Sequence, residues 1–156
     1  MILEKQEFHL TNLISQRRKV TQNEFLTNME KLKRYSEENN FCVKNFTSVT
    51  YSIVIENGEQ VLDNECIVEF ETPVLQENLP EEFNVKNELL ITNAVNLSFK
   101  GNQSLFISKY NEITGYLSAK KLQPITPLYT VTHYPFSQEE NTVDLDFYIG
   151  INPNIL

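Results

Sequence analysis

The chain has 156 residues, of which 40% are apolar and 22% charged, values that are ordinary for a globular protein of one domain. Its formal net charge of −8 argues against a nucleic acid or an anionic membrane as partner, because both attract basic surfaces. The two cysteines have no metal-binding or redox spacing, so we expect buried free thiols, no metal and no cofactor.

The amino terminus, MILEKQEF, has no apolar signal core. No apolar run approaches the length that a membrane-spanning helix requires. These features predict a cytoplasmic protein. The one basic cluster, Arg17-Arg18-Lys19, is short, and we expect it to form a solvated turn before the first helix.

The first half predicts a strand, a helix and two further strands. The first strand is expected over Ile2 to Ser15. A helix then opens at Thr21, because Thr21 and Glu24 form a capping box in which each side chain satisfies a free backbone N–H. Its apolar face is predicted from helical periodicity, and alternating residues predict the two strands that follow. The face comprises Phe25, Met29 and Leu32, and the strands lie at Phe41 to Ile55 and around Cys66 to Phe70.

A linker-like segment, Val74 to Lys86, separates this half from a second that repeats the same order. A strand over Glu88 to Phe99 leads to a helix with Asn102 as its N-cap. The closing strands are expected at Leu128 to Phe136 and, with the clearest alternation in the chain, at Val143 to Ile151. The predicted apolar stripe of the second helix is Phe106, Tyr110, Ile113 and Leu117.

The two halves match at one constant offset, which places Phe25 on Phe106, Leu32 on Ile113 and Glu65 on Asp146. This spacing predicts an α+β fold made of a duplicated β-α-β-β module, with two antiparallel sheet halves and one helix in each half. The first module is expected over residues 1–75 and the second over 83–156. Each helix should cover one face of its sheet and leave the other for another use.

Three segments carry a family resemblance: Asn96 to Gly101 running into the second helix, the closing run Asp146 to Ile151, and its weaker counterpart Val68 to Val74. On them the chain resembles the gyrase-inhibitor-like (GyrI-like) family, a SOUL-like duplication. The same fold serves as the effector-binding domain of multidrug-responsive transcription activators. The chain has no helix-turn-helix, so it resembles a binding module standing alone, of a kind found in Gram-positive bacteria.

The resemblance implies two modules related by pseudo-twofold symmetry, with an aromatic and acidic cleft between them. The family's effector-binding members carry a glutamate where this chain has Asp146, and members usually have proline at Gly150. The resemblance also implies a site that binds a cationic small molecule through a carboxylate and aromatic rings. The predicted ligand-binding residues are Tyr51, Tyr129, His133, Asp146 and Tyr148.

Two functions remain open at this stage, and both are non-catalytic. The first is a module that binds a cationic or amphipathic small molecule, as a monomer or weak dimer. The second is an accessory protein that binds a basic protein partner, either as the gyrase-inhibitor namesake of the family does or as an accessory of a toxin or secretion gene cluster. Some family members hydrolyse reactive natural products with a carboxylate and a tyrosine, so Asp146 with Tyr134 or Tyr148 is kept as a less favoured hydrolase pair.

Overall fold

The computed structural model describes residues 1–74, 79–133 and 141–154. Within these ranges, six strands and two α-helices follow the predicted order of strand, helix, strand and strand, twice, which confirms the α+β class and the duplicated β-α-β-β module. The elements are β1 (Ile2–Val20), α1 (Gln22–Glu38), β2 (Val43–Glu56), β3 (Glu59–Phe70), β4 (Asn84–Asn102), α2 (Phe106–Ala119), β5 (Pro124–His133) and β6 (Thr142–Ile151).

The chain divides into two compact units. The first unit is Leu10–Leu89, and the second unit is Met1–His9 together with Leu90–Leu156. Strand β1 therefore contributes its first residues to the second unit and the remainder to the first. The pseudo-twofold symmetry and the cleft between the modules stay predictions.

In the first unit, β3 is the central strand and pairs antiparallel with β1 on one side and β2 on the other. The register places Arg17 and Val49 on either side of Glu65. Helix α1 packs on β3 and begins with the predicted capping box, in which Thr21 and Glu24 bond each other's backbone N–H groups. The β2–β3 hairpin turns at Asn57-Gly58, both with positive φ, which is the two-residue turn that fits the strand twist.

In the second unit, β6 is central and pairs antiparallel with β4 and β5. The apolar alternation of β6 faces α2 and forms a core with residues of β4 and the helix, as periodicity predicted. That core consists of Val95, Leu97, Ile113, Leu117, Leu145, Phe147, Ile149 and Ile151.

The constant offset between the halves holds for the central pairing and for the helices. The cross-strand pair Arg17 and Glu65 of the first unit corresponds to the pair Ser98 and Asp146 of the second. Helix α1 spans 22–38, and its counterpart, a short 3-10 turn at Gln103–Leu105 followed by α2, spans 103–119. The duplication is therefore visible in the backbone pairing as well as in the order of elements.

Finer details of the duplication agree, with one local departure. The buried pair Leu32 and Ser36 of α1 coincides with Ile113 and Leu117 of α2. Strand β5 departs from the offset by one position, because the residue opposite Asp146 is Val131, one position beyond the exact counterpart of Val49. Strand β5 therefore corresponds to β2 through its pairing with the central strand, although its residue numbers are shifted by one from the constant offset.

Several local predictions are wrong. The Arg17-Arg18-Lys19 cluster is not a turn, because β1 continues to Val20, beyond the predicted end at Ser15. Strand β4 begins at Asn84, inside the segment expected to be a linker, whose residues 75–78 lie outside the described part of the chain. Both cysteines are free, but only Cys66 is buried, and Cys42 is exposed. Of the predicted stripe on α2, Ile113 and Leu117 are buried, whereas Phe106 and Tyr110 are exposed.

The end of the strand predicted over Leu128 to Phe136 and most of the polar turn after it fall among residues 134–140, outside the described residues. Neither described helix has the length and apolarity that a transmembrane span requires.

Candidate functional site

Each sheet has one face under its helix and an opposite face, which we call the distal face. On β6, Leu145 and Phe147 belong to the core beneath α2, so Asp144, Asp146 and Tyr148 lie on the distal face. Directly paired residues share a face, so the distal face of the second unit contains two cross-strand rows. They are Ser98–Asp146–Val131 and Asn96–Tyr148–Tyr129.

The centre of the first row is an acid–imidazole pair. An oxygen of Asp146 lies 2.7 Å from Nε2 of His133, which is on the neighbouring strand, two residues beyond the direct partner of Asp146. The Asp146 side chain is 15% exposed and that of His133 is 43% exposed. His133 therefore lies between a mostly buried carboxylate and the solvent.

The second row contains a group of packed aromatic rings. Phe8 stacks on Tyr148 with ring centroids 4.4 Å apart and contacts Tyr129 at 5.5 Å in a tilted arrangement. Phe8 and Tyr129 are buried. Such ring pairs add stability beyond the apolar area that they bury. The Tyr129 ring is therefore buried in this structure, and its role in ligand binding stays a prediction.

The hydroxyl of Tyr148 is held in its neutral form. Burial raises the pKa of Tyr148, and the neighbouring charge of Asp146 raises it further. A phenol with a raised pKa is a poor proton acceptor and a poor nucleophile at neutral pH. Tyr148 is accordingly suited to supplying ring surface and a hydrogen-bond donor.

The distal face grades from a polar edge to an apolar interior. Ser98, beside Asp146, is exposed, and Asp144 is partly exposed opposite Lys100. One row further on, Tyr148 is partly exposed, while Asn96 and Tyr129 are buried. This arrangement can accept a molecule with a polar or charged end at Asp146 and an apolar part toward Tyr148.

The first unit contains a carboxylate at the position that corresponds to Asp146. Glu65 accepts a hydrogen bond from the Tyr51 hydroxyl at 2.7 Å and one from the Lys86 ammonium at 2.6 Å. Tyr51 follows Val49, the direct partner of Glu65, by two residues, as His133 follows Val131. Tyr51 and His133 are therefore counterparts, each a partner of the acid on the adjacent strand.

Further charged groups surround Glu65. The Arg17 guanidinium lies 3.8 Å from the centre of the Tyr51 ring and forms a two-bond pair with Asp63. Burial acts to raise the pKa of Glu65, but hydrogen bonds from Lys86 and Tyr51 outweigh it and leave that pKa below its ordinary value. Glu65 is thus an ionised, internally neutralised group.

The structure brings together four of the five predicted ligand-binding residues, Tyr129, His133, Asp146 and Tyr148, on the distal face of the second unit. Tyr51 belongs to the first unit, where it binds Glu65. Within the described ranges, no group of three or more His, Cys, Asp or Glu is placed to hold a metal ion.

Sequence reasoning missed several residues of these sites, among them Phe8, Glu65 and its partner Lys86. Phe8 was missed because its contact with Tyr148 joins the first strand of the chain to the last. Glu65 was missed as a charged centre, although the constant offset between the halves already matched it to Asp146. That match was the signal that could have found it.

No family model and no curated protein matches the chain. Solved structures do match it in fold. A protein called EcmrR, solved bound to DNA in its RPo complex, superposes with a TM-score of 0.67 at 12% identity over 97% of this chain. An uncharacterised conserved protein from Listeria innocua gives 0.62 at 9% identity, with 96% of this chain and 93% of that chain covered. A protein described as a hydrolase from Listeria innocua gives 0.54 at 11% identity, with coverages of 97% and 90%.

At these identities the likeness concerns the fold alone. The chain spans 56% of the length of EcmrR, so it corresponds to a part of that protein.

Proposed function

We propose that this chain is a ligand-binding module of the GyrI-like type that takes a cationic, amphipathic small molecule on the distal face of its second unit. One observation carries the proposal: a mostly buried carboxylate, Asp146, whose described partner is a half-exposed histidine, lies beside a stack of aromatic rings. The fold that it shares with part of a DNA-bound protein, EcmrR, supports the proposal because the resemblance to the GyrI-like family implies a binding module within such regulators.

The charge of the ligand follows from Asp146. In its neutral form, His133 does not cancel the charge of this carboxylate, and Lys100, which lies opposite Asp144, forms no ion pair with it among the described residues. A cation that displaces the His133 ring would meet the carboxylate in a partly desolvated setting, where the attraction exceeds that in water several-fold. Its apolar portion would pack against the partly exposed ring of Tyr148, whose face also attracts cations.

We propose binding without turnover. With its pKa raised, the Tyr148 hydroxyl stays protonated, so it is suited to donating a hydrogen bond and not to acting as the base of a carboxylate–tyrosine pair. Tyr134, the other predicted partner of Asp146, lies outside the described residues. The hydrolase from Listeria innocua shares the fold with this chain, and a shared fold does not transfer an activity.

Tetraphenylphosphonium, a rigid lipophilic cation, tests the proposal by isothermal titration calorimetry. Asp146→Asn keeps the size of the side chain and removes its charge, so it should weaken binding at least tenfold. The matched control is Asp144→Asn, on the same strand and face, which should change the affinity less than threefold. Triphenylphosphine oxide, a neutral analogue, should bind the unaltered protein as weakly as the cation binds the Asp146 variant.

The proposal fails if the cation does not bind at concentrations up to about 1 mM, which corresponds to only about 4 kcal/mol. It also fails if Asp146→Asn binds as tightly as the unaltered protein. Far-ultraviolet circular dichroism of each variant ensures that a lost affinity is not a lost fold.

A further inference from the structure

The outward face of α2 carries fewer charged residues than that of α1. Because the two halves match at a constant offset, the two faces can be compared position by position. The ten residues of α1 that are exposed all have exposed counterparts at the matching positions of the second half. Six of those ten are charged in α1, and one is charged at the matching positions of the second helix. The charged residues are Glu24, Glu30, Lys31, Arg34, Glu37 and Glu38 in α1, and their counterparts are Leu105, Asn111, Glu112, Gly115, Ser118 and Ala119.

Large apolar side chains accompany this loss of charge. Ile107 is 71% exposed, Leu105 is 44% exposed and Tyr110 is 43% exposed. The one charge, Glu112, is paired with Lys109 of the same helix at 3.1 Å, so the face is neutral. A cluster of exposed apolar residues on one helix is typical of an interaction surface, whereas single exposed apolar residues are not.

The face also permits close approach of another backbone. Gly115 is exposed in the middle of α2, and a Cβ atom added there would meet nothing within 4 Å. Its counterpart in α1 is Arg34, a long charged side chain. Ser108 and Ser118 lie along the same outward side of α2 and are exposed. Small residues in such a row shorten the distance at which another helix can pack, because interaxial distance depends on the side chains at the contact.

We propose that this face of α2 is a self-association surface on which two copies of the chain pack helix against helix. The net charge of the chain and the neutrality of this face indicate a second copy as the partner. With a net charge of −8, two copies repel each other over most of their surface, and a neutral face lets them meet without that cost. A twofold interface must be complementary to itself, and an uncharged helix face fulfils this condition. A basic partner would gain no attraction from it.

The size of the face sets the strength of the dimer. The 3-10 turn and α2 together span about 25 Å, with a width of about 10 Å. This footprint is far smaller than the roughly 800 Å² that each partner contributes to a stable interface. We therefore expect a weak dimer, with a dissociation constant between about 10 µM and about 1 mM.

Sedimentation equilibrium of the full chain over the concentration range that brackets this dissociation constant tests the proposal. The average mass should rise from 18.2 kDa toward twice that value with concentration. Added salt should strengthen the association, because it screens the repulsion between two negatively charged copies. Ile107→Glu should keep the protein monomeric over the whole range, and Gly115→Arg, which introduces the residue type of α1, should do the same.

The duplication supplies the control. Leu26→Glu makes the same change at the matching position of α1, where the leucine is 55% exposed, and should leave the dimer intact. A monomer at the highest concentration overturns the proposal, and so does a dimer that survives Ile107→Glu and Gly115→Arg. Loss of the dimer in Leu26→Glu alone would assign the interface to α1 and overturn it as well. Thermal unfolding of each variant separates misfolding from dissociation.

Discussion

The two units carry an acid at the same place in the same strand register and neutralise it differently. Glu65 is 4% exposed and receives both an ammonium and a phenol, at 2.6 and 2.7 Å. Asp146 receives an imidazole that is itself half exposed. The difference teaches that the same position in the fold can give a carboxylate very different surroundings. A carboxylate that meets an internal ammonium is neutralised within the fold, and under the proposed function the acid held by a half-exposed imidazole is the one that takes the ligand.

The cross-strand rows next to Glu65 and Asp146 also differ, because only the row beside Asp146 contains aromatic rings. The first unit has Ser15–Ile67–Thr47, where the second has Asn96–Tyr148–Tyr129. Two small polar residues and an aliphatic one thus correspond to an amide and two aromatic rings. Aromatic surface beside an acid suits a cation, and the first unit has no such surface in this row.

The largest effect is expected from Lys86→Met, which makes Glu65 resemble Asp146 by removing its cation. Glu65 then stays buried with the Tyr51 hydroxyl, and the free energy of unfolding at neutral pH should fall by about 2 kcal/mol. Urea denaturation measures the change. Lys44→Met is the matched control. Lys44 is 3.9 Å from Glu69, which already accepts bonds from Thr11 and Asn45, so the loss should stay below about 0.5 kcal/mol.

The same variant has a pH signature. Because the pKa of Glu65 in the folded protein is below its ordinary value, its pairing stabilises the protein above that ordinary value and is lost as pH falls through the folded pKa. The deficit of Lys86→Met should therefore shrink below about pH 4, where glutamate becomes neutral. A deficit that is unchanged by acid would mean that Lys86 acts through packing and not through charge.

A smaller effect is expected at Gly150, whose counterpart in the first unit is Glu69. A Cβ atom at Gly150 would come within 2.7 Å of Cγ2 of Thr126 and 3.0 Å of Cγ2 of Ile91. Gly150→Ala should therefore destabilise the protein by about 1–2 kcal/mol through overpacking. Combining it with Thr126→Ser removes the nearest methyl and keeps the hydroxyl that accepts from the Gly150 N–H, so part of the stability should return. An unchanged melting temperature for Gly150→Ala would contradict the close approach.

The smallest effects compare two glycines with equal space and different backbones. A Cβ atom would meet nothing within 4 Å at either Gly58 or Gly115, but Gly58 has φ of +77°. Gly115→Ala should stabilise the protein by about 0.5–1 kcal/mol, because alanine favours a helix. Gly58→Ala should destabilise it by a similar amount, because alanine disfavours positive φ. Unfolding at low micromolar concentration keeps self-association out of the measurement, and shifts of equal sign would refute the argument.

Local patterns predicted most of the fold. The Thr21 capping box and the alternation of β6 depend on neighbours in the sequence, and the structure confirms both. The end of β1 was missed because Arg17 reads as solvated, although it pairs with Asp63 of β3, which is distant in the sequence. The exposure of Phe106 was missed because periodicity places a residue on the face toward the sheet and does not tell how much of its ring is covered: the ring meets Phe147 edge-on at 5.3 Å and the residue stays 37% exposed.

The site was predictable in its parts and not in its contacts. Asp146, His133 and Tyr148 could each be named from the alternation of their strands. That His133 meets Asp146 depends on the register between β5 and β6, where a one-residue shift would exchange the faces. The Phe8 stack requires the first and last strands of the chain to be near each other, which no local pattern states.

The two thiols differ in exposure, so their reactions with a thiol reagent can report local opening of the fold. Cys42 is exposed between α1 and β2, whereas Cys66 is buried in the central strand of the first unit, where burial and the charge of Glu65 raise its pKa to about 12. A thiol reagent at neutral pH should thus modify Cys42 promptly and reach Cys66 only when β3 opens. With Cys42 replaced by serine, the labelling rate of Cys66 measures how often the strand that holds Glu65 opens.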